Sequence, residues 1–376
     1  MKRLLALLFF LPVVLCAQET ITIRKGDTTS VALKTLGGAD GAAATKVLQN
    51  DLDLSGLFSI TPPERATYLI GGSASGGSLE GQVTDTRGSV VLRKTYSGGL
   101  RAAAHKFADD IVSTLTGQKG IASTKIAFVS SRTGTKEIYT ADYDGANVKQ
   151  ITNDRTISVS PAISPDGNKL AYTGYQSGYA DIYLIDLLTG ARNRIIKFPG
   201  TNSGASFAPD GNRIACTLSK DGNPELYIVG ISGGGARRLT RTKGVESSPT
   251  WSPDGSQIIY SSDDRGGPQL YRISAGGGSG ELIPTGYSYC TEPSWSPDGQ
   301  KLAFTVRSGG FSIAVKDLRS GATRILGAGE DPVFGANSRH LIYSSGSSLI
   351  LLDTQTGRQV PIITGLGKVT EPTWSR

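Results

Sequence analysis

One tetrapeptide turn recurs at a fixed interval and constrains this chain more than any other feature. Ser164-Pro165-Asp166-Gly167, Ala208-Pro209-Asp210-Gly211, Ser252-Pro253-Asp254-Gly255 and Ser296-Pro297-Asp298-Gly299 are each 44 residues apart. A large residue precedes each turn: Ile163, Phe207, Trp251 and Trp295. The series continues in weaker form at Phe334, before Gly335-Ala336-Asn337-Ser338, and ends at Trp374. A second series runs in step, with Tyr139, Tyr183, Tyr227 and Tyr271 also 44 apart. Ala314 and Ile350 take its fifth and sixth places. Pro presets φ for a type I turn and Gly accepts the left-handed position after it, so each motif reads as a hairpin loop. Glycine supports the same reading, at 49 of 376 residues, roughly twice the usual share of about 7%.

Each unit reads as four strands. In one, Pro293-Ser294-Trp295-Ser296, Lys301–Thr305, Ile313–Lys316 and Thr323–Leu326 alternate with turns. Four strands per roughly 40–45 residues is the period of a β-propeller blade. The repeat opens at Lys125-Ile126-Ala127-Phe128, a second strand without a first, and closes at Pro372-Thr373-Trp374-Ser375, a first strand without a second. Pairing the two completes a sixth blade and removes the exposed edge. The expected fold is a six-bladed β-propeller over 119–376, closed by the C-terminal strand, after a small α/β domain over 18–118.

In that first domain, Asp40 is expected to cap a helix from Gly41 to about Leu54, with Ala44, Val47, Leu48 and Leu52 on one face. Thr67–Ile70, Leu79–Thr84 and Val90–Arg93 read as strands. Leu100, Ala103, Ala104, Phe107, Ile111 and Leu115 sit at helical spacing, and Gly117 ends that helix. The stretch between Arg24 and Asp40 shows no apolar strand. Thr20-Ile21-Thr22-Ile23 reads either as a strand of its own domain or as one offered to a partner by β-augmentation.

Residues 1–17 have the layout of a secretory signal. Lys2 and Arg3 precede the apolar run Leu4–Leu15, which is too short for a membrane span of about 20 residues. Cleavage is expected after Ala17, with lipidation of Cys16 as the alternative. The formal charge of +7 falls to +5 without Lys2 and Arg3. Export permits a disulfide, but Cys216 and Cys290 lie in different repeats, and two unpaired thiols are the favoured reading over a bridge. With two His and three Cys, a zinc site of several such ligands is excluded.

Nothing in the chain assembles catalytic chemistry. No Gly-x-Ser-x-Gly elbow occurs, and His105 and His340 have no nucleophile nearby in sequence. No catalytic residue, metal site or cofactor is expected. The turn aspartates Asp166, Asp210, Asp254 and Asp298 serve local backbone bonds. The basic run Arg237–Lys243 falls on an outermost strand and the loop after it, where charge protects an edge. Spread Lys and Arg, with no recognition motif, argue against nucleic acid.

The residues just before each innermost strand read as Ser158, Asn202, Glu246, Glu292, Glu330 and Glu371. Ringing one channel mouth, they form an acidic rim that attracts a basic or amide-rich partner segment, or a cation. The plain alternative is solvated loop charge.

Four stretches together resemble the TolB family of the bacterial Tol–Pal system. They are Val47–Phe58, Arg101–Asp109, Leu115–Gly120 and the Trp-Ser-Pro-Asp-Gly turns. The likeness covers residues 41–376 in order. It implies a non-catalytic, monomeric periplasmic adaptor with an α/β domain on a six-bladed propeller. It also implies a Pal-type peptidoglycan-associated lipoprotein docked at the channel mouth and a TolA-type protein met by the N-terminal arm, Thr20–Ile23. Outer-membrane and peptidoglycan association is then indirect, and the role is outer-membrane integrity and invagination at division. A periplasmic propeller binding a peptide or glycan outside a Tol system is the alternative.

Overall fold

The computed structural model describes residues 28–375. The signal segment and Thr20–Ile23 lie outside the described residues. The N-terminal domain begins with β1 (Thr29–Leu33), followed by α1 (Gly41–Ser55), β2 (Phe58–Ile60), β3 (Tyr68–Ser75), β4 (Ser78–Asp85), β5 (Val90–Tyr96) and α2 (Leu100–Thr116). The sheet order is β2-β1-β3-β4-β5. β1 is parallel to both neighbours, and the β3-β4-β5 meander is antiparallel. β1 corrects the expectation that no strand lies between Arg24 and Asp40. Its five residues are Thr-Ser-Val-Ala-Leu, and the sheet buries Val31 and Ala32.

Both helices end as the glycines dictate, with Gly56 and Gly117 left-handed. Asp40 does not cap α1 through its side chain; its carboxylate instead faces the Gly77 amide at 3.5 Å. The apolar faces of α1 and α2 cover the sheet through Leu48, Leu52, Phe107 and Ile111, all fully buried. Each such side chain contributes about 1.5–3 kcal/mol. Gly81 on β4 makes the close packing possible, because a Cβ there would stand 2.6 Å from the Phe107 ring.

Six four-stranded antiparallel sheets follow, each joined to the next in sequence. Blade 1 closes the ring: Val369–Trp374 from the C-terminus pairs with Lys125–Ser130, with Trp374 opposite Ile126. The innermost strands of blades 2 to 6 are Ser158–Ile163, Asn202–Phe207, Glu246–Trp251, Cys290–Trp295 and Glu330–Phe334. Buried aromatic and aliphatic side chains, such as Tyr172, Tyr227, Phe304 and Tyr343, fill the spaces between and within blades. Cys216 and Cys290 are free and buried.

The Ser-Pro-Asp-Gly turns form as their chemistry requires. Gly167, Gly211, Gly255 and Gly299 hold φ of 69–74°, and each donates its amide to the first residue of its turn at 2.9 Å. Asp166, Asp210, Asp254 and Asp298 accept the amide two residues on.

These turns join the first strand of a blade to the second, so they share one end of the propeller with the turns joining third to fourth strands. The N-terminal domain docks on that end, over blades 6 and 1. Arg339 of blade 6 donates to Gly56 O at 2.9 Å while paired with buried Asp353. Arg358 clasps Asp53. Apolar residues of both domains, including Leu54, Leu57, Ile126, Tyr143 and Ile363, form one continuous cluster.

Candidate functional site

The innermost strands enclose a central cavity of about 480 Å³. Its mouth away from the N-terminal domain lies where those strands begin. Six equivalent residues near that mouth adopt positive φ: Ser160, Gly204, Ser248, Glu292, Asp331 and Glu371, at 50–65°. Each sits at a register shift in the pairing of first and second strands. Such a bulge turns the bulged side chain away from the regular pleat, here into the cavity lining. In five blades the next residue is proline: Pro161, Pro249, Pro293, Pro332 and Pro372.

This register corrects the expected acidic ring. Glu292 and Glu371 occupy the bulge and line the cavity, while Asp331 holds that place in blade 6. Ser158, Asn202 and Glu246 are instead first residues of their strands, two positions earlier, and are fully buried. Glu330 also begins its strand, which is one residue shorter. The expected ring takes the residues just before each innermost strand, whereas the backbone repeat follows the bulge and its proline.

The ring is divided. Blades 5, 6 and 1 supply three carboxyls; blades 2, 3 and 4 supply Ser160, Gly204 and Ser248. The acidic arc is also a chain of interblade bonds. Asp331 N–H donates to Glu292 Oε2 at 3.0 Å, Glu371 N–H to Asp331 Oδ2 at 2.9 Å, and Ser160 N–H to Glu371 Oε2 at 2.6 Å. Thr305 Oγ1 donates to Glu292 at 2.7 Å and Ser344 Oγ to Asp331 at 2.9 Å. Burial, with the Asp331 charge beside it, pushes the Glu292 carboxyl up to about 8. Burial and the same neighbour also raise Glu371, against the lowering effect of the Ser160 amide. The arc therefore favours an incoming cation or hydrogen-bond donor. At the opposite end, Lys119 from the interdomain linker is the basic residue of the lining.

Exposed apolar side chains stand at the same end as the acidic arc, on blades 2, 4 and 5. Ile157, Tyr175 and Tyr179 project from blade 2, with Tyr179 74% accessible. Val245 precedes the innermost strand of blade 4, and Phe311 on blade 5 leans on Tyr289 with ring centroids 6.0 Å apart.

A second polar cluster lies between the domains. His105 Nδ1 is 2.7 Å from Asp51 Oδ2, and Tyr143 Oη donates to Asp51 Oδ1 at 2.9 Å. Arg101 binds both Asp142 and Asp144. Burial opposes a charged His105 ring, but the Asp142 and Asp51 carboxylates outweigh it and lift His105 to about 9. Asp51, His105 and Asp144 are close enough to reach one cation, yet Arg101 and Asn50 already hold Asp144. The cluster works as a charged rivet between α1, α2 and the blade 1 turn. Burial drives the other histidine, His340, the opposite way, to about 4.

A model of the TolB beta propeller domain matches residues 112–376. Over 194 residues the chain is 38% identical to a protein TolB homolog of Chlorobium chlorochromatii, covering 42% of this chain and 44% of that one. Over 171 residues it is 35% identical to the Tol-Pal system protein TolB of Geobacter sulfurreducens, covering 36% and 39%. These matches thus span less than half the length of either relative. The crystal structure of TolB from Acinetobacter baumannii superposes with a TM-score of 0.83 at 28% identity, over 93% of this chain and 96% of that one.

Proposed function

This chain belongs to the TolB β-propeller family, and from that premise we propose that it is a non-catalytic periplasmic adaptor of a Tol–Pal system. Its propeller mouth docks the periplasmic domain of a Pal-type lipoprotein, and its N-terminal arm, Thr20–Ile23, meets a TolA-type protein. Through these partners it supports outer-membrane integrity and invagination at division.

The observation that carries the reading is the uncovered mouth, where Glu292, Asp331 and Glu371 face the channel inside an apolar rim. A partner that inserts a Lys, Arg or amide side chain meets the acidic arc, and its apolar surroundings cover Tyr179, Tyr175 and Ile157. A buried centre with a polar anchor is the anatomy of a specific interface. No group at the mouth needs to change covalently, so the chemistry is recognition alone.

Calorimetric titration of the chain from Gln18 onward with a Pal-type periplasmic domain from the same source tests this. Binding is expected, weakened by up to about tenfold by Glu292→Gln with Glu371→Gln, because each lost hydrogen bond contributes about 0.5–1.5 kcal/mol. Equal binding by the variant moves the site elsewhere. No heat and no co-elution reject the partner and favour a propeller for peptides or glycans.

A further inference from the structure

The seams between blades repeat one contact. In four of the six seams, the first residue of the innermost strand donates its amide to the carbonyl just before the third strand of the preceding blade. The bonds are Ser158 to Lys136 at 2.9 Å, Asn202 to Ala180 at 3.0 Å, Glu246 to Pro224 at 3.1 Å and Cys290 to Pro268 at 2.8 Å. This sets four side-chain pairs in equivalent places: Glu137 with Ser158, Asp181 with Asn202, Glu225 with Glu246, and Gln269 with Cys290. The second pair closes with Asn202 Nδ2 donating to Asp181 Oδ1 at 3.1 Å. The third alone sets acid against acid.

Glu225 and Glu246 are both fully buried. Glu225 Oε1 accepts from Arg238 Nη2 at 2.7 Å and from the Thr242 amide at 2.8 Å. Glu246 Oε1 accepts from Thr242 Oγ1 at 2.7 Å and from Ser262 Oγ at 2.8 Å. The Oε2 atoms of both have no donor, and Thr242 ties the two carboxyls together, its amide on one and its hydroxyl on the other. Two buried anionic oxygens without donors are costly, and one proton between them turns one into a donor.

We propose that Glu246 keeps a proton and donates it to Glu225, and that this pair is a pH-sensitive latch holding the Arg241–Val245 crossing at the channel mouth. When the proton leaves for water, two carboxylates face each other and the seam between blades 3 and 4 loosens. The loosened segment is the one hung on both acids through Thr242, and it carries the exposed Val245.

The charges around the pair do not remove the need for a proton. Arg238, from the outer strand of blade 3, pairs with Glu225 at 2.7 Å; it also stands 3.8 Å from Asp221, which pairs with Lys220. From blade 4 come Tyr260, Tyr271 and the loop acids Asp263 and Asp264, which bind the Val245 and Lys243 amides. Tyr227 lies beside Glu225 on blade 3. Burial raises Glu246, and the neighbouring Glu225 adds to that, against the lowering effects of Thr242 and Ser262. The folded chain therefore holds a proton that the unfolded chain releases above about pH 4.3. The latch is strongest below that pH and weakens as pH rises. It does not depend on which partner docks at the mouth.

Amide hydrogen exchange on the full chain, from about pH 5 to about pH 8 and corrected for intrinsic base catalysis, tests the latch. The Thr242 amide is expected to lose protection by about tenfold per pH unit, the slope of a one-proton equilibrium. The Arg155 amide, held in the equivalent way by Glu137 Oε1 at 3.1 Å, is the internal control and keeps its protection. Glu246→Gln supplies a permanent donor, as Asn202 does one seam away, and makes Thr242 protection independent of pH. Should that variant not fold, Glu225→Gln offers the same donor from the other side and is expected to show the same flat profile. A parallel response of Thr242 and Arg155 in the wild-type chain overturns the proposal, as does a pH step that survives in either variant.

Discussion

The two halves of the channel mouth share a backbone and differ in chemistry. All six blades carry the left-handed bulge, whether the residue there is Glu292, Asp331, Glu371, Ser160, Ser248 or Gly204. In the acidic half each carboxyl also accepts the bulge amide of the next blade. In the neutral half that amide is served otherwise, as where Gly204 N–H donates to Thr173 Oγ1 at 3.2 Å. The repeat thus specifies where a side chain enters the channel, and the residue type decides whether it also binds blade to blade.

The largest effect expected from breaking this contrast comes from Asp331, the middle carboxyl. Asp331→Ala strips the acceptor from the Glu371 amide and the Ser344 hydroxyl. The Ser344 hydroxyl keeps the Glu330 carbonyl at 3.0 Å, so the cost is that of the unpaired Glu371 amide, about 1–3 kcal/mol, to be read from denaturant unfolding midpoints at constant m-value. A loss as small as that of a neutral-half variant would mean the arc is not an interblade lock.

Glu292 sharpens the contrast through pH. Its carboxyl stands at about 8 in the folded chain against an ordinary value near 4.3, so the folded state retains a proton that the unfolded state gives up. Its contribution favours folding most below about pH 4.3, and declines as pH rises to about 8. Glu292→Gln is expected to flatten the stability profile across that window by up to about 1.4 kcal/mol per pH unit. Unchanged slope in pH-resolved thermal melts would contradict the assignment.

In the neutral half, Gly204→Ser costs about 1–2 kcal/mol, the strain of a side chain at φ +65°. Space is not the obstacle, since a Cβ there meets only Thr217 Oγ1, at 3.9 Å. Ser248→Ala is expected to change stability by less than about 0.5 kcal/mol. Both are measured by the same denaturant series, and a Ser248 loss matching that of Asp331 would erase the contrast.

Much of the architecture was legible because it is written in period and phase. The 44-residue turns placed four blades, and the unmatched strands at Lys125–Phe128 and Thr373–Trp374 revealed how the ring closes. Helix α2 followed from its apolar spacing and Gly117. β1 escaped notice because Thr-Ser-Val-Ala-Leu is short and only weakly apolar; its burial comes from parallel neighbours 29 and 37 residues away. The mouth was half legible. Glu292 and Glu371 stood out by charge, but charge also drew in Glu246, which belongs to a seam. The signal that distinguishes the two positions is the proline after the bulge. It marks Ser160, Ser248, Glu292, Asp331 and Glu371 as equivalents, and residues before proline avoid the right-handed helical region. No sequence signal announced that Glu225 and Glu246 face each other, because that pairing joins separate blades.

The acidic half of the uncovered mouth is the proposed docking surface. A hydrogen-exchange footprint of the chain, free and with a Pal-type periplasmic domain, tests it most directly. Protection is expected on Cys290–Trp295, Glu330–Phe334 and Val369–Trp374 and on the blade 2 rim around Tyr175–Tyr179, with α1 and α2 unchanged. Protection confined to the Ser-Pro-Asp-Gly end or to the N-terminal domain would contradict it.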